Sequence, residues 1–361
     1  MRILHLSNHC RNSGNGIVNV AVDLAVVQAR QGHAVAFASA AGEFSGLLTR
    51  SGVDYREIDM RKRSLVSTAK AALALRRLLK EARPEIVHAH MMTGALLALL
   101  LKSVFGFKLV THVHNEFQRS SIFMAVGDRV IANSQAVGAA LLKRGISKAR
   151  MRVALNGPLG TPRQGAAAEP AALQRPAIVT VAGLNHRKGI ADLIDAFALL
   201  APRYPDLHLY LVGDGPQREA FEQRASRSAV DGRIHFAGFA PDPRPYMLAA
   251  DIFVLASHDE PFGLVLVEAR ALGCAIVATD VGGVPEALDS GAAGVLTAPK
   301  DPAALARAIS GLLVAPAERL ALKARATNNL DRYTVDRLNR DVLDIYGELI
   351  GHNLRGDGAN I

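Results

Sequence analysis

The residues best suited to chemistry lie in SHDEPFGLVLVEARALGCAIVATDVGGVPEAL, from Ser257 to Leu288. The apolar run Ile252–Leu255 predicts a buried strand, and the loop SHDEPFG leads into a helix beginning near Leu264. A helix start offers unbonded N–H groups and the positive end of the dipole, which together attract a diphosphate. Gly263 at the entry lets the backbone approach a ligand closely. Glu268 lies about one turn further on, ~6 Å along the axis. That reach suits a carboxylate accepting two hydrogen bonds from a ribose diol. Glu260 is left on the other side of the phosphates, where a sugar would sit. Two glutamates alone have a plain alternative, a capping loop and a solvated helix face. The strand, acidic loop, glycine, helix and following Gly-Gly loop together favour the ligand.

Short β-rich runs alternating with helical patterns must position these groups. In the first half the strands are expected at Arg2–Leu6, Ala34–Ala38, Glu85–His88, Lys108–His112, Arg129–Ala132 and Arg152–Leu155. Helical stretches such as Gly16–Arg30 and Leu65–Lys80 separate them. That alternation argues an α/β fold with a parallel, doubly wound sheet. Gly157 to Pro176 is rich in Gly, Pro and Ala, and residues 161–176 are the expected linker between domains at 1–160 and 177–334. Beyond it strands are expected at Ala177–Ala182, His208–Val212, Arg233–Phe236, Ile252–Leu255, Ala275–Ala278 and Gly294–Leu296. A last helix, 335–354, is placed to pack back on the first domain.

Composition narrows the classes. With 361 residues, half of them hydrophobic, two domains with substantial cores are the natural prior. The net charge of +9 favours anionic partners without choosing among them. No basic region is interleaved with aromatics and there is no Trp, so nucleic acid is not expected. Two distant cysteines, Cys10 and Cys274, suit a reducing cytoplasm. The N-terminus reads as a strand rather than a signal peptide, and the longest apolar stretch, Ala95 to Leu101, is too short to span a bilayer. A cytoplasmic protein, soluble or peripheral to the membrane, is expected.

Histidines pair at strand ends: His5 with His9, His88 with His90, His112 with His114. Each pair shares a strand face and resembles half a metal site. Without Cys or acidic partners at zinc-like spacing, and without an Asp-x-Asp tripeptide, no metal is expected. Gly14 and Gly16 sit between a strand and a helix, but Asn19 stands where a dinucleotide-binding fingerprint would have its third glycine. A dehydrogenase is thereby disfavoured. Arg61 to Lys80 reads as a cationic amphipathic helix. Leu65, Ala69, Ala72, Leu73 and Leu79 form its apolar side, yet Arg76 projects from that side too. Docking on an anionic membrane surface is the expectation drawn from it.

The Ser257–Leu288 segment resembles the Glu-x7-Glu signature of the retaining family 4 glycosyltransferases of GT-B fold, here Glu260 to Glu268, continued by Gly282, Gly283, Pro285 and Glu286. VAGLNHRKGIADLIDAFALL, LVGDGP, FAGF, SGNGIVNVAVDLA and THVHN extend the resemblance over nearly the whole chain. It implies two Rossmann-like domains facing across a cleft and transfer from a nucleoside-diphosphate sugar, UDP- or GDP-linked, to a glycan or lipid-linked hydroxyl. It also implies that no further cofactor is required. Lys188 would bind the phosphates with Arg187 beside it, and Gly14 and Gly16 would cover them from the first domain. Leu264 and Val265 would offer backbone N–H groups. Glu268 would hold the ribose, Glu260 would lie at the sugar, and Phe239 would meet the base through its backbone. His114 would stand near the sugar and acceptor, with His112 its rival. One departure is Gly183, which stands where the family often has an arginine; Arg187 is the candidate substitute. A sugar-nucleotide epimerase and a noncatalytic scaffold remain the alternatives.

Overall fold

The computed structural model describes residues 1–61, 64–115, 119–165, 167–228 and 230–351. They form two compact units, Met1–Gln164 with the chain from Asp331 onward, and Gly165–Leu330.

Unit 1 holds seven parallel strands: β1 (Arg2–His9), β2 (Ala34–Ala40), β3 (Asp54–Glu57), β4 (Ile86–Ala89), β5 (Lys108–Val113), β6 (Arg129–Ala132) and β7 (Met151–Val153). Their order is β3-β2-β1-β4-β5-β6-β7, so the winding reverses between β1 and β4. The connecting helices are α1 (Gly16–Arg30), α2 (Ser45–Arg50), α3 (Leu65–Ala82), α4 (Met92–Phe105) and α5 (Gln135–Lys143). Successive strand residues face opposite ways. Leu4, Leu6, Val87 and Leu109 therefore join one core with Leu75 and Leu78 of α3. The alternate residues face the other way, and Phe37 packs there with Val18 and Val22 of α1. Asp23 on α1 is buried and held by Thr161 Oγ1 at 2.7 Å and by Arg163 through two bonds of 2.8 and 3.0 Å. Burial pushes the Asp23 carboxyl up, against Arg163 and Thr161. This clamp ties the chain at 161–163 to unit 1, so the residues expected to open the linker belong structurally with α1.

Unit 2 has six parallel strands: β8 (Ala177–Val181), β9 (His208–Val212), β10 (Ile234–Gly238), β11 (Ile252–Leu255), β12 (Ile276–Thr279) and β13 (Val295–Thr297). They run in the order β10-β9-β8-β11-β12-β13, with the reversal between β8 and β11. Its helices are α6 (Ile190–Leu200), α7 (Arg218–Ser226), α8 (Arg244–Ala249), α9 (Leu264–Ala271), α10 (Val284–Ala287), α11 (Pro302–Val314) and α12 (Pro316–Ala326). The chain then returns to unit 1 as α13 (Val335–Ile350), stopped by Gly351 at φ 75°. It packs against α1 and β5, and its strongly two-sided pattern buries Leu338, Val342 and Tyr346. The expected extension to 354 lies outside the described residues.

The expected apolar side of α3 needs correction. The helix buries Ala71, Leu75, Leu78 and Leu79, an i, i+4, i+7, i+8 stripe. Leu65 and Leu73 are exposed, at 90% and 50%, as are Ala69 and Arg76. The face bearing Arg76 is therefore a solvent face, which resolves why a cation sits on it. Lys62 and Arg63 of the same basic stretch lie outside the described residues. None of the helices described is long and apolar enough to cross a membrane.

Candidate functional site

In a doubly wound sheet, loops leaving the strands on either side of the reversal diverge and open a crevice at the strands' carboxyl ends. Both switch points of this chain carry the residues singled out above.

In unit 2, Lys188 ends the short turn His186–Lys188 after β8, while Glu260 lies in the loop after β11. Lys188 Nζ and Glu260 Oε2 are 2.5 Å apart, with side chains only 16% and 9% exposed. Ser257 Oγ donates to the same carboxylate oxygen at 3.3 Å. A nearly dry ion pair is costly to leave half-made. An ammonium so placed exchanges its partner cheaply only for another anion. Beside it α9 begins, entered by Gly263 at φ 87° with no side-chain cap. Gly263 supplies no side-chain cap to the first-turn amides of Leu264 and Val265, and no side-chain bond to them is seen among the described residues. Glu268, one turn on, is partly buried.

Close backbone packing explains the glycines. A Cβ on Gly189 (φ 63°) would fall 1.8 Å from the Ala256 carbonyl oxygen. One on Gly282 (φ 52°) would fall 2.1 Å from the Glu260 oxygen, and one on Gly283 2.3 Å from that of Pro261. Gly283 N also donates to the Glu260 carbonyl at 2.9 Å. Three loops are thereby pressed into one rigid wall around Glu260.

Arg187 braces that wall. Its Nη1 donates to the Asp259 carbonyl at 2.8 Å, and its own carbonyl accepts from His258 N at 2.7 Å. His258 Nε2 in turn lies 2.7 Å from Asp192 on α6. Burial raises the Asp259 carboxyl, opposed by the Arg187 charge. At Gly183 a Cβ would meet Asn185 Nδ2 at 3.3 Å and only one other atom within 4 Å. A Cβ fits there if Asn185 gives by a few tenths of an ångström. Phe239 follows β10 and is 42% exposed, beside Gly238 at φ 76°, whose carbonyl accepts from Gly213 N at 2.8 Å.

Sequence reading missed Arg270. It is fully buried on the inner side of α9, donating to the carbonyls of Ala287, Ala326 and Asn328 and to Asp289 Oδ2. Its signal was a cation two residues after Glu268, on the apolar side of a short helix. Arg270 fixes the helix that carries Glu268, and so acts through position.

In unit 1, Gly14 (φ 67°) makes the turn after β1, and Asn15 Oδ1 caps α1 by accepting from Ile17 N at 3.0 Å. Gly16 is the first helical residue. His114 follows β5, buried, and its carbonyl accepts from Asn133 Nδ2 at 3.1 Å. His112 lies inside β5, with both ring nitrogens buried and without a hydrogen-bond partner among the described residues. The paired histidines also come together across strands, which their spacing did not show. His5-His88-His90 and His90-His112-His114 each bring three ligand-type nitrogens within 4.8 Å of one another. His9, by contrast, is half-buried and bonds Arg11 N at 3.2 Å.

Comparisons with known proteins fall on both units. Residues 14–157 match the model of Glycosyltransferase Family 4, and residues 175–314 that of Glycosyl transferases group 1. The glycogen synthase of Mycobacterium tuberculosis is 32% identical over 278 residues, 70% of this chain and 67% of that protein. The lipopolysaccharide core biosynthesis glycosyltransferase LpsE of Rhizobium meliloti is 32% identical over 176 residues, so the match spans about half of each, 48% of this chain and 49% of LpsE. Among solved structures, Anabaena HepE in complex with UDP and glucose superposes with a TM-score of 0.80 at 22% identity, covering 95% of this chain and 98% of that one. WaaG, a glycosyltransferase involved in lipopolysaccharide biosynthesis, gives 0.76 at 17% identity, over 95% and 99%. With a family match in each unit, a long relationship to glycogen synthase and two parallel α/β sheets that superpose on these structures, the chain belongs to the family 4 glycosyltransferases of GT-B fold.

Proposed function

We propose that this chain transfers a hexosyl unit, with retention, from a nucleoside-diphosphate sugar to a hydroxyl of a glycan or lipid-linked glycan, in cell-surface polysaccharide or glycolipid assembly. The observation that carries the reading is the Lys188–Glu260 pair set beside the side-chain-uncapped start of α9. A diphosphate arriving at those amides competes with Glu260 for Lys188, and the released carboxylate turns to the sugar. Departure of the nucleoside diphosphate builds negative charge, which a pre-placed ammonium and helix amides stabilise without reorganisation. Glu268 holds the ribose diol, and Phe239 offers its backbone to the base. His114 meets the sugar or acceptor. Arg187 steadies the phosphate wall from the Asp259 side. The UDP complexes of HepE support a nucleotide donor of this kind. A donor panel of UDP- and GDP-sugars read by thermal shift, followed by product mass spectrometry with lipid-linked acceptors, tests the reading. Conversion of the nucleotide sugar with no acceptor present would contradict it.

The solvent face of α3 supports a second part of the reading, a peripheral position on an anionic membrane at the cytoplasmic face. Exposed Leu65, Val66 and Leu73 stand among exposed Lys70, Arg76, Arg77 and Lys80. The neighbouring α4 exposes Leu100 and Val104 at 73% and 67%. Apolar anchors with cations around them suit anionic headgroups. Salt-dependent co-sedimentation with anionic vesicles is expected; no binding at low ionic strength removes this part.

A further inference from the structure

Where a doubly wound sheet ordinarily packs aliphatic side chains against its helices, unit 1 places imidazoles. His5 on β1 is the register partner of His88 on β4, His112 lies on adjacent β5, and His90 and His114 follow those two strands. His5, His88 and His112 are fully buried, His90 is 2% exposed and His114 7%. Helix α1 contributes Gln28, fully buried, and α13 contributes Tyr346.

Four of these side chains form a line. Gln28 Oε1 lies 2.8 Å from His5 Nε2, His5 Nδ1 lies 3.0 Å from His90 Nε2, and His90 Nδ1 lies 3.3 Å from His114 Nε2. The His5 and His90 rings are 5.3 Å apart and inclined by 20°; those of His90 and His114 are 5.6 Å apart and inclined by 24°. Each ring separation equals the nitrogen separation plus two ring radii. The bonded nitrogens therefore lie on the line joining nearly coplanar rings, as an N–H···N bond requires. A metal ion between the same nitrogens would need both lone pairs turned to a third point, drawing the ring centres closer together. The His5–His90 and His90–His114 pairs are thus arranged as donor and acceptor rather than as joint ligands.

A neutral imidazole has one N–H and one lone pair, so a direction imposed at one end is passed along. The imposing group is Gln28. Tyr346 Oη lies 2.6 Å from His88 Nδ1, to which it can pass its own proton. Gln28 presents its carbonyl oxygen, which can only accept, to His5 Nε2 at 2.8 Å. His5 must then donate from Nε2 and accept at Nδ1; His90 does the same, and His114 donates from Nε2. His114 Nδ1 is left with a bare lone pair, buried and without a hydrogen-bond partner among the described residues.

We propose that Gln28, His5 and His90 are positioning residues, an imidazole wire that holds His114 as its Nε2–H tautomer so that Nδ1 accepts a hydrogen bond from a substrate hydroxyl. The wire itself is a statement about unit 1; the hydroxyl partner rests on the reading of His114 as a site residue. Burial keeps the relay neutral, with His5 lowered to about 4 and His114 to about 3. An acceptor-only nitrogen welcomes a hydroxyl and leaves a carbonyl or ether oxygen without a donor, which orients a sugar rather than merely holding it.

Long-range proton–nitrogen correlation spectra of full-length protein labelled with 15N-histidine read each tautomer directly. In the native protein His5, His90 and His114 should each show one protonated nitrogen, Nε2. Gln28→Met removes the directing carbonyl and should mix the His114 tautomers, lowering kcat about tenfold, the worth of one hydrogen bond, with donor KM nearly unchanged. Gln28→Glu, which still accepts from His5, should retain the native tautomer and most of kcat. A His114 protonated on Nδ1 in the native protein overturns the wire, as does a His114 tautomer unmoved by Gln28→Met, or stoichiometric zinc in the purified chain. Mixed tautomers with unchanged kcat overturn the substrate contact. Absence of transfer by the native protein itself would instead strike the proposed function, and the tautomer spectra would be unaffected by it.

Discussion

At the switch point of unit 2 the side chains are charged and the backbone is packed glycine against carbonyl; at that of unit 1 they are neutral imidazoles held by a glutamine and a tyrosine. Lys188 and Glu260 form an ion pair at 2.5 Å, each side chain largely shielded from solvent. The five clustered histidines, His5, His88, His90, His112 and His114, have no carboxylate partner among the bonds described, and burial makes the charged form unfavourable in each. The same topology thus yields two kinds of preorganisation. One stores electrostatic energy for an anion, and the other stores direction in a chain of hydrogen bonds. The difference teaches where to expect sensitivity: unit 2 to charge and backbone volume, unit 1 to tautomer and pH.

The largest effect should come from breaking the charged side. Lys188→Ala removes the cation proposed to meet the phosphates and leaves Glu260 buried without its charged partner. Steady-state kinetics should show kcat reduced by about 10²–10³-fold, as for other preorganised charges. Gly282→Ala attacks the same wall through volume, because its Cβ would overlap the Glu260 carbonyl in a left-handed backbone. Donor affinity should fall at least as far as in a Glu260 variant, and thermal unfolding of the chain should begin earlier, by an amount worth about 2–3 kcal/mol. Glu268→Ala should weaken donor binding by about 10²-fold, the worth of two charge-assisted hydrogen bonds, as read by titration calorimetry.

The neutral side should respond to acid. Below the ordinary histidine value of 6.5, the unfolded chain takes up protons that the buried rings refuse until about 4 at His5 and about 3 at His114. The unfolded state then binds more protons, so stability is fully present above about 6.5 and is lost as pH falls. Each such histidine should cost about 1.4 kcal/mol per pH unit in that window. Unfolding in denaturant at pH 7, 6 and 5 checks the slope, and a flat profile would break the comparison. The smallest effect is a gain. Gly183→Arg places a cation where a Cβ meets only Asn185 Nδ2 and the Asp214 carbonyl within 4 Å, and should tighten donor binding by several-fold, within the range of an exposed charged contact.

Much of this was legible in the sequence. Arg129–Ala132, His208–Val212 and Ile252–Leu255 are strands at the expected residues, and α9 begins at Leu264. Apolar runs bounded by glycine carry that information locally. β3 escaped because DYRE is polar and lies on the sheet edge, where no alternation is imposed. The inward face of α3 was misjudged because two adjacent faces of the helix are both rich in Leu and Ala. Proximity of Lys188 to Glu260 is implied by two motifs, yet their direct pairing depends on how β8 and β11 neighbour each other. The histidine wire was least legible, for it needs the β1-β4-β5 order, the register of His5 with His88, and Tyr346 from a helix 258 residues beyond His88.

The account rests most directly on a nucleoside-diphosphate sugar bound at the Lys188–Glu260 pair and the start of α9. Titration calorimetry of UDP- and GDP-sugars against the native chain, Lys188→Ala and Glu268→Ala measures it. One donor should bind the native chain saturably, with both variants weakened by tenfold or more. Equal affinity in all three proteins, or no binding of any nucleotide sugar by the native chain, would contradict it.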